Sequence, residues 1–340
     1  MVRCFLFGAG ASKACDSNIP IMTDFLRLAE DYEFKEKYHH ILALFNKHNV
    51  PYDKYNFNFE KIIDDINKSE INSTTKSDLI YTLKLCLCDL IYNPSKIRMS
   101  SSIQTPYDKL MQKLNIIDNK DDFFITLNYD LLLDSAIWKK NQIINSTVSQ
   151  YRIDYGIGFD FESSYNGFGG PHIGEENSRN IIIRKSVPFT LYKLHGSFNW
   201  LHANNDKSKI HCQNKNYTDN TSDLFVLITP TIQKEITKIN SQLKELYDNL
   251  KTRLLTTKID EFIIIGCSLS RDDTYLLDLI KIAKNINPQL KLKVVYFHKT
   301  NTEITPDTVF ENYCRSLLPN TNIIFCPSGF DDDCIDNFIF

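Results

Sequence analysis

Two polar clusters in this chain each stand at the end of an apolar run. Asn128 and Asp130 follow FFITL at 123–127, and His195 and Gly196 follow TLYKL at 190–194. An asparagine amide carries an acceptor and a donor on one rigid plane. It can hold a water molecule and a hydroxyl group at once. A histidine in such a setting can serve as a base near neutral pH. Asp130 has two readings: it can orient Asn128 or stabilise developing positive charge, or it can cap a helix beginning near Leu131. A half-buried, hydrogen-bonded histidine and a turn asparagine are the structural alternatives for the other two.

A third cluster opens the chain. The run VRCFLF leads directly into GAGAS at 8–12. Gly8 and Gly10 permit unusual backbone angles or a close approach, and N–H groups at a helix start attract phosphate. With Ser12, Lys13 and Ala14 opening the next helix, the stretch reads as a pyrophosphate cradle, or else as a tight turn of any α/β protein. A side chain added at Gly10 is expected to enter the pyrophosphate approach. GCSLS at 266–270 repeats the grammar after the strand-like run EFIII.

The elements that must carry these groups follow from periodicity. Apolar runs at 2–7, 123–127, 190–194, 261–265 and 292–297 predict strands of a mostly parallel sheet, with NIIFC as a last strand and DLFVLITP as a further one. Their polar ends, GAGAS, LNYD, LHGS, GCSLS and YFH, would converge beyond the carboxyl edge, where open parallel sheets bind ligands. Residues from about 30 to 118 read as helical, with Phe59, Ile62, Ile63 and Ile66 at helical spacing, and form an insertion that could cover the site. Segments 141–190 and 203–222 read as irregular loops or a small lobe. The expectation is one α/β domain over 1–340, with a Rossmann-like sheet and a large helical insertion.

Composition excludes several classes. With 39 basic and 42 acidic residues the formal net charge is −3, and no basic block marks a nucleic-acid surface. The first strand leaves no room for a signal peptide, and no apolar run reaches the roughly 18 residues of a membrane span, so a cytoplasmic protein is expected. Nine cysteines occur without a CxxC pair, and no HExxH spacing is present. No metal site is expected.

The set FLFGAGAS, FITLNYDLLLDSA, LYKLHGSFNWL and FIIIGCSLSRDD, spread over nearly the whole chain, resembles the SIR2-like family, and more narrowly its bacterial antiphage-defence branch of NAD-hydrolysing effectors. The resemblance implies NAD as substrate, bound with Gly8, Ala9, Gly10 and Ser12 on the pyrophosphate side. It implies Asn128 and Asp130 near the nicotinamide and its ribose, and His195 as the catalytic histidine. Gly266 and Ser268 would line the phosphates and adenosine ribose, and Phe297 and Gly329 the adenine. Asp24 and Phe25 partly match the family's IPDFR-type segment, here IPIMTDFL. The zinc ribbon of the family's deacetylases is missing from the sequence, and Leu127 replaces a polar residue before their asparagine. Cleavage by water is therefore the implied reaction. A regulatory subunit that reads NAD or ADP-ribose without cleaving it, and an ADP-ribose cyclase or transferase, stay open as alternatives. Constant NAD loss would be toxic, which implies gating by a homo-oligomer or by a separate activator such as a ring ATPase, a short Argonaute-type protein or a phage protein. Tyr155, Phe159, Tyr165 and Trp200 are peripheral candidates for closing over nicotinamide.

Overall fold

The computed structural model describes residues 1–21, 43, 46–49, 59–115, 118–119, 121–144, 153–157, 189–203, 206–212, 225–227, 241–269, 274–297 and 306–340. β1 (Arg3–Phe7) leads into α1 (Ala9–Cys15). α2 (Phe59–Lys68), α3 (Ser73–Ser100) and α4 (Pro106–Lys113) follow, then β2 (Phe123–Thr126), α5 (Leu132–Ile144) and β3 (Thr190–Lys193). Next come β4 (Gly196–Ala203), β5 (Asp206–Cys212), β6 (Phe225–Leu227) and α6 (Ser241–Thr256). The chain closes with β7 (Glu261–Ile265), α7 (Thr274–Ile286), β8 (Lys291–Val295), α8 (Pro306–Leu317), β9 (Asn322–Cys326) and short helical turns.

β1, β2, β3 and β7 are buried along their whole length, which is why they read as near-continuous apolar runs, each with at most one charge, rather than alternating ones. Six strands pair in the order β3-β2-β1-β7-β8-β9. Every pairing is parallel. Counted within this sheet, the neighbours run third, second, first, fourth, fifth, sixth. That is the doubly wound, Rossmann-like order, whose switch point lies between β1 and β7.

The two halves touch at that point with no room to spare. The Gly10 N–H donates to the Gly266 carbonyl at 2.9 Å, and the Gly8 N–H to the Ile265 carbonyl at 2.9 Å. A Cβ on Gly10 would stand 2.9 Å from the Gly266 Cα, and one on Gly266, whose φ is +62°, would stand 2.2 Å from the Ala11 nitrogen. Close backbone packing therefore explains these glycines before any ligand does. A side chain at Gly10 would thus meet the Gly266 backbone, whatever it also did to a bound pyrophosphate.

The helical insertion has a core of its own. Ile62, Ile63 and Ile66 of α2 bury against Leu79, Leu83 and Leu87 of α3, and this cluster closes on Tyr129 and Phe198. Tyr92 meets Phe198 edge-on at 6.0 Å, and Phe198 lies 5.9 Å from Tyr129. The insertion thus rests on the residue between Asn128 and Asp130. α4 begins with a reciprocal cap in which Thr105 and Asp108 satisfy each other's backbone N–H.

One expected loop is partly a strand. Asp206–Cys212, within the polar 204–220 stretch, forms β5 and pairs antiparallel with β4 in a three-stranded sheet of order β5-β4-β6. Its sequence, DKSKIHC, has too few apolar residues to announce a strand. Ile210 is buried and its N–H bonds the Gln242 side chain of α6. The strand expected in DLFVLITP appears as β6 in this smaller sheet.

We expect Gly266→Ala to lose about 3 kcal/mol or more of stability, combining a left-handed backbone penalty with a backbone clash. Urea denaturation measures it. A loss within about 0.5 kcal/mol, the range of an ordinary surface change, would contradict the close-packed switch point.

Candidate functional site

The end of β2 is stitched to the start of α1. The Leu127 N–H donates to the Phe7 carbonyl at 2.9 Å, and the Asn128 N–H to Thr126 Oγ1 at 3.1 Å. The Asn128 Nδ2 donates to the Gly8 carbonyl at 2.9 Å and to Ser12 Oγ at 2.8 Å, with the Tyr107 hydroxyl at 3.5 Å. A carbonyl oxygen only accepts, so the amide must present its nitrogen to Gly8. Ser12 donates its one proton to Asp130 Oδ2 at 2.6 Å, so toward Asn128 it too must accept. Two acceptors therefore fix the amide orientation. Asn128 Oδ1 has no protein hydrogen bond among the described residues.

Asp130 binds at the start of α5 and at Ser12. Its Oδ1 accepts the Leu132 N–H at 3.0 Å at the start of α5, while Oδ2 holds Ser12. It is 4 % exposed, so it reaches Asn128 through Ser12 rather than facing solvent. Burial raises its pKa above the ordinary carboxylate range, while the Lys193 charge and the hydrogen bonds from Ser12 and Leu132 pull it down. Burial, with the Asp130 charge adding to it, also pushes the Tyr107 phenol up.

Beneath this runs a buried polar chain with no local sequence signal for its partners. Lys193 Nζ donates to the Asp130 carbonyl at 2.6 Å and to Asp134 Oδ2 at 2.9 Å, and both side chains of the ion pair are wholly buried. The Tyr155 hydroxyl donates to Asp134 Oδ1 at 2.5 Å, and Asn199 Nδ2 donates to that hydroxyl at 3.3 Å. Sequence reasoning passed over Lys193 and Asp134. The available signal was a charge inside an apolar run, in TLYKL and LLLDSA. Tyr155 and Trp200, taken as candidates for closing over a ligand, are instead fully buried and pack edge-on at 5.3 Å. Phe159 and Tyr165 lie outside the described residues.

His195 stands one strand over, where Leu194 N–H still bonds the Thr126 carbonyl at 3.1 Å. Gly196, with φ +85°, turns the chain from β3 into β4. The imidazole is 6 % exposed and lies 6.3 Å from the Tyr129 ring. Its Nε2 is 2.6 Å from the Tyr275 hydroxyl of α7, a residue the sequence reading missed.

The glycine turns meet as described, with Gly8 buried and Ala9 and Ser268 exposed. The N–H groups of Gly8, Gly10 and Ala11 bond the carbonyls of Ile265, Gly266 and Gly8. Of the residues expected on the pyrophosphate side, Gly8 and Gly10 thus have their N–H groups engaged within the protein. Phe297 is 73 % exposed and bridges Ser328, and Gly329, with φ +93°, lies against it. This pair sits at the ends of β8 and β9, two and three strands from β1, apart from the Asn128 cluster. Asp24 and Phe25 lie outside the described residues, as do Arg271, Asp272 and Asp273.

Among the described residues, no group of His, Cys, Asp or Glu side chains could hold a metal ion. No described helix is long and apolar enough to cross a membrane. Burial raises the thiol pKa of Cys4, Cys15, Cys86 and Cys88, which keeps them protonated packing groups.

Comparison with known families matches residues 122–308, more than half of the 340-residue chain, to the SIR2-like domain. No curated protein matches the chain.

Lys193→Met should leave the Asp130 and Asp134 carboxylates without their buried cation and lower stability by about 3–5 kcal/mol at neutral pH. Losing the cation raises the Asp130 carboxyl pKa further, so the deficit shrinks as pH falls and that group takes up a proton. Denaturation of both proteins across pH checks this. A deficit that does not change with pH would contradict the charge argument.

Proposed function

The chain belongs to the SIR2-like domain family, which broadly acts on NAD, and on that premise we propose that it hydrolyses the nicotinamide–ribose bond of NAD to nicotinamide and ADP-ribose. The observation that carries the reading is the amide of Asn128. It is fixed by two acceptors, with Oδ1 unbonded among the described residues, at the carboxyl end of β2 and one strand from His195.

The chemistry follows from those groups. The C–N bond breaks as nicotinamide departs with the bonding pair, now a neutral ring. The ribose passes through an oxocarbenium-like state. Asn128 Oδ1 accepts a hydrogen bond from the attacking water or a ribose hydroxyl. As the water oxygen bonds the anomeric carbon, its proton passes to His195, directly or through that hydroxyl. Asp130 holds Ser12 as an acceptor and so keeps the amide from flipping. The exposed edge of the switch point, at Ala9 and Ser268, is where the diphosphate would lie. Anchoring it there lets remote binding energy act on the reacting end. Phe297 and Gly329 are the proposed adenine contacts. We read the physiological role as an effector that depletes NAD during phage infection and is gated by assembly. The support for that role is the motif resemblance, together with the way the insertion cluster closes on Tyr129.

The test is nicotinamide release from NAD by purified protein, alone, at rising protein concentration and with the product of the adjacent gene. His195→Ala and Asn128→Ala should each slow release by about 10²–10⁴-fold. NAD affinity by calorimetry should be largely kept in His195→Ala, which leaves the phosphate side untouched, whereas Asn128→Ala also releases the Gly8 carbonyl and Ser12 and should weaken binding as well. Near-normal release by either variant would overturn the assignment. Stoichiometric binding without release under every condition would favour an NAD sensor. A rate per chain that is high and constant would remove assembly control.

A further inference from the structure

Resting on the reading of His195 as the base, we propose that Tyr275 is its positioning residue. The phenol hydroxyl holds Nε2 and so sets the rotamer of the ring and the nitrogen that carries its proton. The 2.6 Å contact joins residues 80 positions apart, from the end of β3 to the first turn of α7. The imidazole has two tyrosine neighbours, with ring centroids 6.3 Å from Tyr129 and 6.1 Å from Tyr275. Tyr275 is itself backed by Tyr247 of α6, edge-on at 6.4 Å. The hydroxyl is therefore placed by packing on its far side, and the histidine is held by it.

The chemistry gives this contact a consequence. A neutral imidazole has one donor and one acceptor nitrogen, so a partner on one nitrogen decides the role of the other. The tyrosine O–H donates to an unprotonated Nε2, and its oxygen accepts once that nitrogen carries a proton. With Nε2 protonated and donating to the tyrosine oxygen, Nδ1 is left free as the base, and the contact is kept and becomes charge-assisted once Nδ1 takes up a proton. Removing it must change the proton affinity of the ring. Among the described residues, titratable groups near the pair include Tyr129 from the β2 end and Tyr247 from α6, with Asp248 and Asp278 near Tyr247. Lys193, two residues before His195, is turned to Asp134 and the Asp130 carbonyl. Tyr275 also follows the turn that bears Gly266 and Ser268. The helix that follows this turn in the chain therefore delivers the group that aligns the base.

Tyr275→Phe removes the hydroxyl and keeps the ring packing. In ligand-free protein carrying ¹⁵N-histidine, with His195 assigned by the signal lost in His195→Gln, the variant should shift the ring nitrogen resonances. It should also move their titration midpoint by about half a pH unit or more. NAD cleavage should slow at least about tenfold with affinity kept within about threefold. Ring signals and midpoint identical to wild type overturn the proposal. So do shifted signals with an unchanged cleavage rate, because the bond would then serve packing alone. If the signals shift but wild-type protein never releases nicotinamide, Tyr275 still sets the state of His195, and the reading of His195 as a base for NAD cleavage fails instead.

Discussion

The arrangement of the site depends on one constraint: the Asn128 amide faces two oxygens that can only accept. The Gly8 carbonyl accepts by its nature, and Ser12 accepts because its single proton is spent on Asp130. An amide flip would set oxygen against oxygen at both contacts, in a buried place where water cannot repair the loss. The hydrogen bonds also span the strands, tying β2 to the β1–α1 turn. Orientation of a small polar group and closure of the sheet's carboxyl edge are therefore one event.

That event is backed by charge. Lys193 and Asp134 are both withdrawn from water, and their attraction is tolerable because further partners satisfy them, the Asp130 carbonyl on one side and the Tyr155 hydroxyl on the other. Such a chain adds little net stability compared with apolar packing, yet it penalises any shift that breaks one member. It stiffens the ends of β2 and β3, where Asn128 and His195 stand. On the outer side, Tyr129 and Phe198 belong to the core of the helical insertion, so its seating bears on the same strand ends.

Much of the scaffold is legible in the sequence because burial on both faces writes strands as plain apolar runs. FLF, FFIT, FIII and their polar ends could be placed in order without coordinates. Asn128, Asp130 and His195 could be singled out by position alone. β5 was not legible, since DKSKIHC offers little apolar signal, and its pairing comes from neighbours it meets only after folding. Nor were the partners. Ser12 suggested a phosphate donor, whereas its proton goes to Asp130, 118 positions away. Gly10 suggested a ligand approach, whereas its missing side chain makes room for Gly266. Contacts across such separations leave no local pattern, so residue type can name a group while its role waits on topology.

The relay from Asp130 through Ser12 to Asn128 is tested most directly by a double-mutant cycle on the rate constant for NAD cleavage, using Ser12→Ala, Asp130→Asn and the pair. If the two act only through the same amide, the double variant loses no more than the worse single one, giving a strong non-additive coupling. Losses that multiply would mean that Asp130 and Ser12 act independently, and would contradict the account of how Asn128 is held.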